Sequence, residues 1–437
     1  MWNHGSLEYD DHGGSFSEPA SLSPAAILLL SLSLLEELAL GSEPWVFIVL
    51  LPVIALTSHL SSYVGNTMAT FCMQALGLDV SAINTVNFSN HTGYKQWKGE
   101  KTTPELISTL YEGLSQSSLL DFDVLLSGYI PSADALKQVV KIARDLKLKR
   151  ETMNPGSFFW VLDPVMGDQG RLYVSEEMVK GYKKAVSGGM EGPDLVVPNG
   201  FELELISGVH LAGGGSDQDG GELERRPTGD NYEASLEKVR EAIEVLHHRD
   251  NVRMVVATSV RIKGKQQDGV LCVVGSEKKS DGSARCFVVE VPVLDCYFSG
   301  TGDMFAGLMV ARLREACNSA GTLRNRGWAS DDQVAATELP LAKATVKVLS
   351  SMSAVLEKTM DARNTEMEKY NGSNRRASVD PQDAEKQRQE DVDERMRFLA
   401  ETKAAEVRAV RNAGDLISPK VRFEAKALMM QVSAGVR

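Results

Sequence analysis

The sequence contains no C-x-x-C pair, no Walker A sequence and no apolar run long enough to span a bilayer. Its five cysteines, Cys72, Cys272, Cys286, Cys296 and Cys317, form an odd, scattered set with no histidine cluster beside them. That pattern argues against a zinc site and against a disulfide framework, and fits reduced thiols in a cytosolic protein. Basic charge is in short supply: 47 Lys and Arg against 59 Asp and Glu give a formal charge of −12. Binding nucleic acid or an anionic membrane through bulk charge needs a basic face, which this balance argues against. A local phosphate site stays open, because a few backbone N–H groups and one metal ion can hold a triphosphate. The adjacent pair His247-His248 follows Ile243, Val245 and Leu246, a context that predicts the exposed end of a helix and a structural or solvated role.

The N-terminal region is unusual. Residues 25–35 (AAILLLSLSLL) and 45–56 (WVFIVLLPVIAL) are strongly apolar, but Glu36, Glu37 and Glu43 separate them. Neither reaches the roughly 18–20 residues that cross a bilayer. A secretory signal opens with basic residues, whereas residues 1–24 carry Glu8, Asp10, Asp11 and Glu18 and no Lys or Arg. The end of the second run, from Val53 to Leu56, predicts the first core strand.

At 437 residues, 43% apolar and 24% charged, the chain can build either two or three domains or one large α/β domain with appendages. From residue 53 onward, short β-rich runs alternate with amphipathic helical stretches. The strands expected are Ala82–Val86, Val124–Leu126, Phe158–Leu162, Leu195–Val197, Val252–Ala257, Val270–Val274 and Phe287–Val291. Helices are expected at Pro104–Ser115, Ala133–Leu146, Glu176–Ala185 and Glu233–Leu246. Such alternation predicts a mostly parallel sheet with helices on both faces. Residues 212–232, rich in Gly and Asp, read as a flexible surface insertion. Residues 361–397 carry dense mixed charge and read as a mobile linker or a solvated helix. Within them, Arg375-Arg376-Ala377-Ser378 resembles a basophilic kinase site.

The most informative segment is Ser299-Gly-Thr-Gly-Asp-Met-Phe-Ala-Gly307, which follows a β-rich run and opens a helix. Glycines at a first helical turn let the backbone approach a ligand, and unpaired N–H groups with the positive dipole end favour an anion. Asp303 is well placed there for proton transfer beside a transferring phosphoryl group. The plainer alternative is a turn shaped by Gly300 and Gly302, with Asp303 as a cap. A dinucleotide fingerprint fits less well, because the spacing is G-x-G-x-x-x-x-G and lies late in the chain. Three more polar segments follow strands in the same way: Asp163-Pro-Val-Met-Gly-Asp168, Pro198-Asn-Gly-Phe-Glu202 and Thr258-Ser259. Open α/β sheets bind ligands at such strand ends.

With these segments in order, the chain resembles the eukaryotic pyridoxal kinases of the ribokinase-like superfamily over about residues 53–360, more weakly near 405–427. The resemblance rests on Tyr63-Val-Gly-Asn66, on the run from Asn84 through Phe88-Ser-Asn-His-Thr-Gly-Tyr94, and on Trp97-Lys-Gly99 and Ser127-Gly-Tyr129. It rests equally on the strand-end motifs above and on Gly300-Thr-Gly-Asp303. It implies an α/β, ribokinase-like three-layer sandwich with a mostly parallel central sheet. Its activity would be ATP-dependent phosphorylation of the 5′-hydroxymethyl group of pyridoxal, pyridoxine and pyridoxamine.

By that resemblance Asp303 would take the hydroxyl proton, and Gly300, Thr301 and Gly302 would form the anion hole. Asp168 and Glu202 would hold Mg²⁺, partly through water. Asp163, Tyr173, Asn199 and Ser259 match ATP-contacting positions, with Leu294, Asp295 and Cys296 near the adenine. Asp163 and Thr258 would help to hold a monovalent cation, usually K⁺. Ser58, Thr92 and Tyr129 match polar contacts to the vitamin ring, while Val64, Val86 and Phe88 match apolar ones.

The implied organisation is an atypical extension at 1–52, a kinase domain at 53–360, a charged linker at 361–404, and a C-terminal segment at 405–437 that packs back on the kinase domain. Also implied are a homodimer and a cytoplasmic location, with the nucleus as a second compartment, and no nucleic-acid or membrane partner. Ser58-His-Leu-Ser-Ser-Tyr63 is one residue shorter than the family pattern and lacks its first glycine, and Val197 stands where a threonine is common. The alternatives are a degenerate pyridoxal-binding relative and a hydroxymethylpyrimidine-type kinase.

Overall fold

The β-rich runs form strands whose side chains alternate between two apolar layers. In chain order the strands are β1 (Pro52–Leu56), β2 (Asp79–Ile83), β3 (Val86–Phe88), β4 (Gly99–Lys101), β5 (Val124–Ser127) and β6 (Phe159–Leu162). After them come β7 (Gly167–Asp168), β8 (Arg171–Leu172), β9 (Leu195–Val196), β10 (Met254–Val260), β11 (Val270–Lys278), β12 (Ala284–Pro292) and β13 (Ala425–Ala427). The computed structural model describes residues 52–56, 63–154, 156–211, 234–262, 269–374 and 383–428. Residues 1–51, Ser58, the 212–232 insertion and the Arg375–Ser378 motif lie outside the described residues.

Nine strands form one sheet in the order β13-β12-β11-β10-β9-β6-β5-β1-β2. From β2 to β10 neighbouring strands run parallel, and the three strands beyond β10 run antiparallel. Leu125, Trp160, Leu162, Val196, Val255 and Ala257 face one core, with helices such as Ala133–Met153 and Leu236–His248 covering it. Val124, Leu126, Phe159, Val161, Leu195 and Val256 face the other, under the helices Gly65–Ala75, Thr301–Ser319 and Pro340–Asn374. This period of two, apolar on both sides, is what a strand buried on both faces requires. The result is the three-layer α/β sandwich with a mostly parallel sheet. Polar atoms inside it are matched: Trp160 Nε1 donates to Ser127 Oγ at 2.9 Å. Phe159 stacks on Trp328 with ring centroids 4.0 Å apart, a contact that contributes about 0.5–1.5 kcal/mol beyond burial.

Several boundaries differ from the sequence reading, for physical reasons. The expected Ala82–Val86 strand is two strands, because Asn84 and Thr85 carry the chain out of the sheet. Asn84 Oδ1 accepts from Asn66 Nδ2 at 2.9 Å, and Thr85 Oγ1 donates to the Tyr129 carbonyl at 2.8 Å. Thr258 and Ser259 do not end their strand; β10 continues to Val260 across a register shift, with Ser259 at φ +52°. His247 is buried rather than exposed, its ring nitrogens bonded to the Val252 carbonyl and Ser276 Oγ.

The boundary expected at 360 falls inside the helix Pro340–Asn374, in which Met367 is still buried past that point. A second helix, Asp383–Ala404, occupies half of the stretch expected to be a charged linker, which had the solvated helix as its other reading. The C-terminal segment packs back through β13, which pairs with β12, and through Leu416, whose carbonyl accepts from Arg312 at 2.7 Å. Among the described residues no helix is long and apolar enough to cross a membrane.

Two glycines predict opposite outcomes for the same substitution. A β-carbon at Gly307 would meet the Ala69 Cα and carbonyl oxygen at 2.9 Å, where the helices Gly65–Ala75 and Thr301–Ser319 cross, whereas one at Gly113 meets nothing within 4 Å. Gly307→Ala should destabilise the fold by about 1–3 kcal/mol through overpacking. Gly113→Ala should stabilise it by about 0.5–1 kcal/mol through backbone entropy. Denaturant unfolding of both variants reads the two signs directly.

Candidate active site

The glycine turn before the helix Thr301–Ser319 is fixed by one residue. Gly300 lies at φ +82° as the N-cap of the helix Thr301–Ser319. A β-carbon there would sit 2.3 Å from the Tyr63 carbonyl oxygen and 2.9 Å from Val64 Cγ1, so only glycine fits. The carbonyl of Gly300 already accepts the first helical bond, from Met304 N–H at 3.0 Å. The N–H groups of Thr301, Gly302 and Asp303 therefore start the helix without intrahelical partners and point their dipoles at the turn.

Carboxylates crowd this helix start. Asp163 leaves the end of β6, held there by its N–H bond to the Ser127 carbonyl at 2.8 Å. A β-carbon on Gly302 would lie 3.8 Å from Asp163 Oδ2, so that carboxylate faces the turn. Burial, then the nearby charges of Glu202 and Asp303, push the Asp163 carboxyl well above the usual range. Burial pushes Asp303 up to about 6, against a hydrogen bond from Gly65 N–H. Asp163 and Asp303 share a cavity of about 10 Å³ with Asn66 and Gly128, about the room one water or hydroxyl needs.

Glu202 is locked from behind. The sequence N-G-F-E makes a capping box: Asn199 Oδ1 accepts from Glu202 N–H and Glu202 Oε2 accepts from Asn199 N–H, each at 2.9 Å. Glu202 Oε1 accepts from Met166 N–H at 2.8 Å, and Asn199 Nδ2 donates to the Gly167 carbonyl at 2.7 Å. Burial raises Glu202 to about 7, and the Asp168 charge adds to the rise. Burial also raises Asp168, while Gln169 N–H, which donates to its Oδ1 at 2.8 Å, and the Arg261 charge oppose the rise. Tyr173, largely exposed, is pushed up to about 12 by burial of its phenol and by the charge of Asp168.

Beside the turn opens a cleft of about 930 Å³, within the size range of small-molecule sites. The structure brings Asp168, Thr258, Ser259, Leu294, Asp295 and Cys296 to its walls, with Thr301 and Gly302 at its inner end. Asp163 lines the small cavity instead, and Asn199 and Glu202 stand behind the wall in their capping box. The sequence reading missed the apolar side, formed by Phe305, Leu349, Met352 and Leu356, and the cation Arg363. Most of these lie on the helix Pro340–Asn374, far along the chain from any strand-end motif, and only its helical periodicity could have hinted at them.

The described residues expected at the vitamin ring come from the segment before the helix Gly65–Ala75, from β3 and the turn after it, and from the end of β5. Val64 is buried against the turn, and Val86 and Phe88 are buried on β3, which pairs with β4. Phe88 lies 6.2 Å from the Trp97 ring. Thr92 opens the exposed turn between these strands, and Tyr129 is half-buried just after β5, its phenol raised by burial. Ser58 lies outside the described residues.

Among the described residues, no three His, Cys, Asp or Glu side chains converge as a ready-made metal cage. The acids near Glu202 are hard oxygen donors whose mutual repulsion a divalent cation would relieve. That fits Mg²⁺, which is usually held by one or two carboxylates together with substrate phosphates.

No model of a known protein family matches the chain. Individual proteins do. It is 32% identical over 268 residues to the pyridoxal kinase of Homo sapiens, spanning 59% of this chain and 76% of that one. It is 29% identical over 378 residues to the pyridoxal kinase of Arabidopsis thaliana, 86% of this chain and 94% of that one. The structure of Leishmania donovani pyridoxal kinase in complex with ADP and pyridoxamine superposes with a TM-score of 0.62 at 25% identity, covering 86% of this chain and 99% of that one. With the fold, the glycine turn and the strand-end acids all in place, the chain belongs to the pyridoxal kinase family.

Proposed function

We propose that Asp303 is the base of an ATP-dependent kinase that phosphorylates the 5′-hydroxymethyl group of pyridoxal, pyridoxine and pyridoxamine. The observation that carries this reading is a carboxyl raised to about 6 at the first turn of a helix whose Gly300–Gly302 backbone is open to an anion. At neutral pH Asp303 is ionised, yet basic enough to accept a proton. It takes the hydroxyl proton as the substrate oxygen bonds to the γ-phosphorus and the bond to the β,γ-bridging oxygen breaks, releasing ADP. Charge on the transferring group falls where the Gly300, Thr301 and Gly302 backbone can stabilise it.

ATP occupies the cleft beside this turn, with Leu294, Asp295 and Cys296 toward the adenine. Ser259 and Asn199 order the wall, Tyr173 covers the phosphates, and Asp163 faces the reacting end. Asp168 and Glu202 hold Mg²⁺, which supplies charge neutralisation on the phosphates when bound. Thr258 and Asp163 stand at a monovalent cation position for K⁺. Val64, Val86 and Phe88 wall the vitamin ring, with Ser58, Thr92 and Tyr129 as its polar contacts. The protein acts in the cytoplasm, with the nucleus as a second compartment, and as a homodimer; sedimentation of the purified chain checks the dimer.

Purified protein given ATP, Mg²⁺, K⁺ and pyridoxal should form pyridoxal 5′-phosphate, followed by absorbance. A chelator should stop turnover and added Mg²⁺ should restore it. Preference for hydroxymethylpyrimidine over all three vitamers would overturn the substrate assignment. Asp303→Asn should lower turnover by about 10²–10⁴ while leaving ATP binding intact. In the wild-type protein, kcat/KM should fall as pH drops through about 6, where Asp303 gains its proton.

The same residue has a stability signature of opposite sign. Its folded pKa lies above the ordinary aspartate value of 3.8, so the charged form is disfavoured by folding. Asp303→Asn should therefore raise the melting temperature above pH 6, and this gain should vanish as pH falls below the unfolded value. A variant that is inactive and also less stable at pH 7 would remove the buried-base assignment.

A further inference from the structure

The turn between β3 and β4 is held from outside the kinase core. His91 Nδ1 accepts from Gly93 N–H at 3.1 Å and lies 3.4 Å from Ser299 Oγ, the residue before the phosphate turn. With Nδ1 occupied as an acceptor, the ring proton sits on Nε2, which faces Glu406 Oε1 at 3.3 Å. The same carboxylate oxygen accepts from the Tyr94 hydroxyl at 3.0 Å. Burial and the Glu406 charge raise the Tyr94 phenol, so it remains the donor. Two weaker contacts from the helix Asp383–Ala404 run parallel to this one: Lys95 Nζ lies 4.4 Å from the centroid of the Phe398 ring, and Arg395 donates to Gln96 Oε1 at 2.6 Å. A cavity of about 320 Å³ lies between the three elements, lined by His91, Gly93, Cys296, Ser299, Phe398 and Glu401.

We infer that Glu406 is a positioning residue: through His91 and Tyr94 it holds the Thr92 turn against Ser299, and so sets affinity for the vitamin substrate from the C-terminal segment. This rests on the reading that Thr92 contacts the vitamin ring. The carboxylate is suited to the task because one oxygen accepts from the Tyr94 hydroxyl and lies 3.3 Å from His91 Nε2 on the other side of the turn, and hydrogen bonds to a charged group are the stronger kind. Gly93 makes the fit exclusive. A β-carbon there would meet His91 Nδ1 at 2.7 Å and push the imidazole off its partners.

The test pairs steady-state kinetics with hydrogen–deuterium exchange on the full chain, using Glu406→Ala and the near-isosteric Glu406→Gln. Glu241→Gln serves as control, since Glu241 pairs with Lys238 on the exposed side of the helix Leu236–His248, away from the turn. Glu406→Ala should raise the KM for pyridoxal about tenfold, with Glu406→Gln in between, while the KM for ATP stays within about twofold. Amides of Gly93, Tyr94 and Lys95, which bond inside the turn, should exchange faster in the alanine variant. Unchanged exchange would overturn the latch. Faster exchange with an unmoved pyridoxal KM, or an equal rise in both KM values, would overturn its role in vitamin binding. Wild-type turnover in the same assay keeps failure of this inference separate from failure of the kinase reading, and the exchange arm decides the latch without any turnover.

Discussion

The site is organised around negative charge that burial makes expensive. Asp163 and Glu202 are almost fully buried, and Asp303 stands partly buried beside Asp163. A carboxylate removed from water is disfavoured unless hydrogen bonds or opposite charge compensate it. The fold answers each acid differently. Glu202 receives backbone N–H groups from Asn199 and Met166. Asp303 starts a helix, where the dipole favours an anion, and takes a bond from Gly65. Asp163 has neighbours of its own sign, and burial together with their charge raises its carboxyl well above the ordinary range. An arrangement of this kind invites a cation and a phosphate together, and gives little reason to exist without them.

Holding these acids in one place takes the whole sheet. Parallel strands β5, β6 and β9 end side by side, so Gly128, Asp163 and Asn199 emerge at one edge. Strand β10 joins them through the bridge between Asn199 and Thr258. Two apolar cores, one on each face, fix where those ends lie. The close crossing at Gly307 and Ala69 then sets the helix Thr301–Ser319 at the depth where its first turn meets Asp163. The turn is therefore placed by packing on both of its sides: Gly300 against Tyr63, and Gly307 against Ala69.

Much of this was legible in the sequence because it is local. The apolar runs at Val124–Leu126, Phe158–Leu162 and Leu195–Val197 predicted strands close to those found, since burial on both faces leaves an unbroken apolar string. Strand-end acids and the Gly300-Thr-Gly-Asp303 turn were visible because a helix start with glycines is a local signal. What escaped depends on contacts remote in the chain. Nothing near Ala82 announces that Asn66, eighteen positions before Asn84, will bond it and end the strand. His247 looks exposed until Ser276 on β11 reaches its ring. The apolar wall at Leu349 and Met352 and the Glu406 contact to His91 belong to the same class, for each joins residues that only the folded sheet brings together.

The charged stretch after residue 360 takes the second of its two readings, a helix whose charged side meets solvent. Dense mixed charge suggests a solvated, contact-poor segment. In the structure that charge sits on helices whose few apolar side chains decide their place: Met367 is buried and Phe398 meets Lys95. A helix needs only a narrow stripe to dock, so one face can be almost entirely charged without loss of position. The docked stripe delivers Glu406 to the Thr92 turn, while the helix Pro340–Asn374 delivers Leu349 and Arg363 to the cleft. Residues late in the chain thereby complete both the cleft and the Thr92 turn, which the strand ends before them begin.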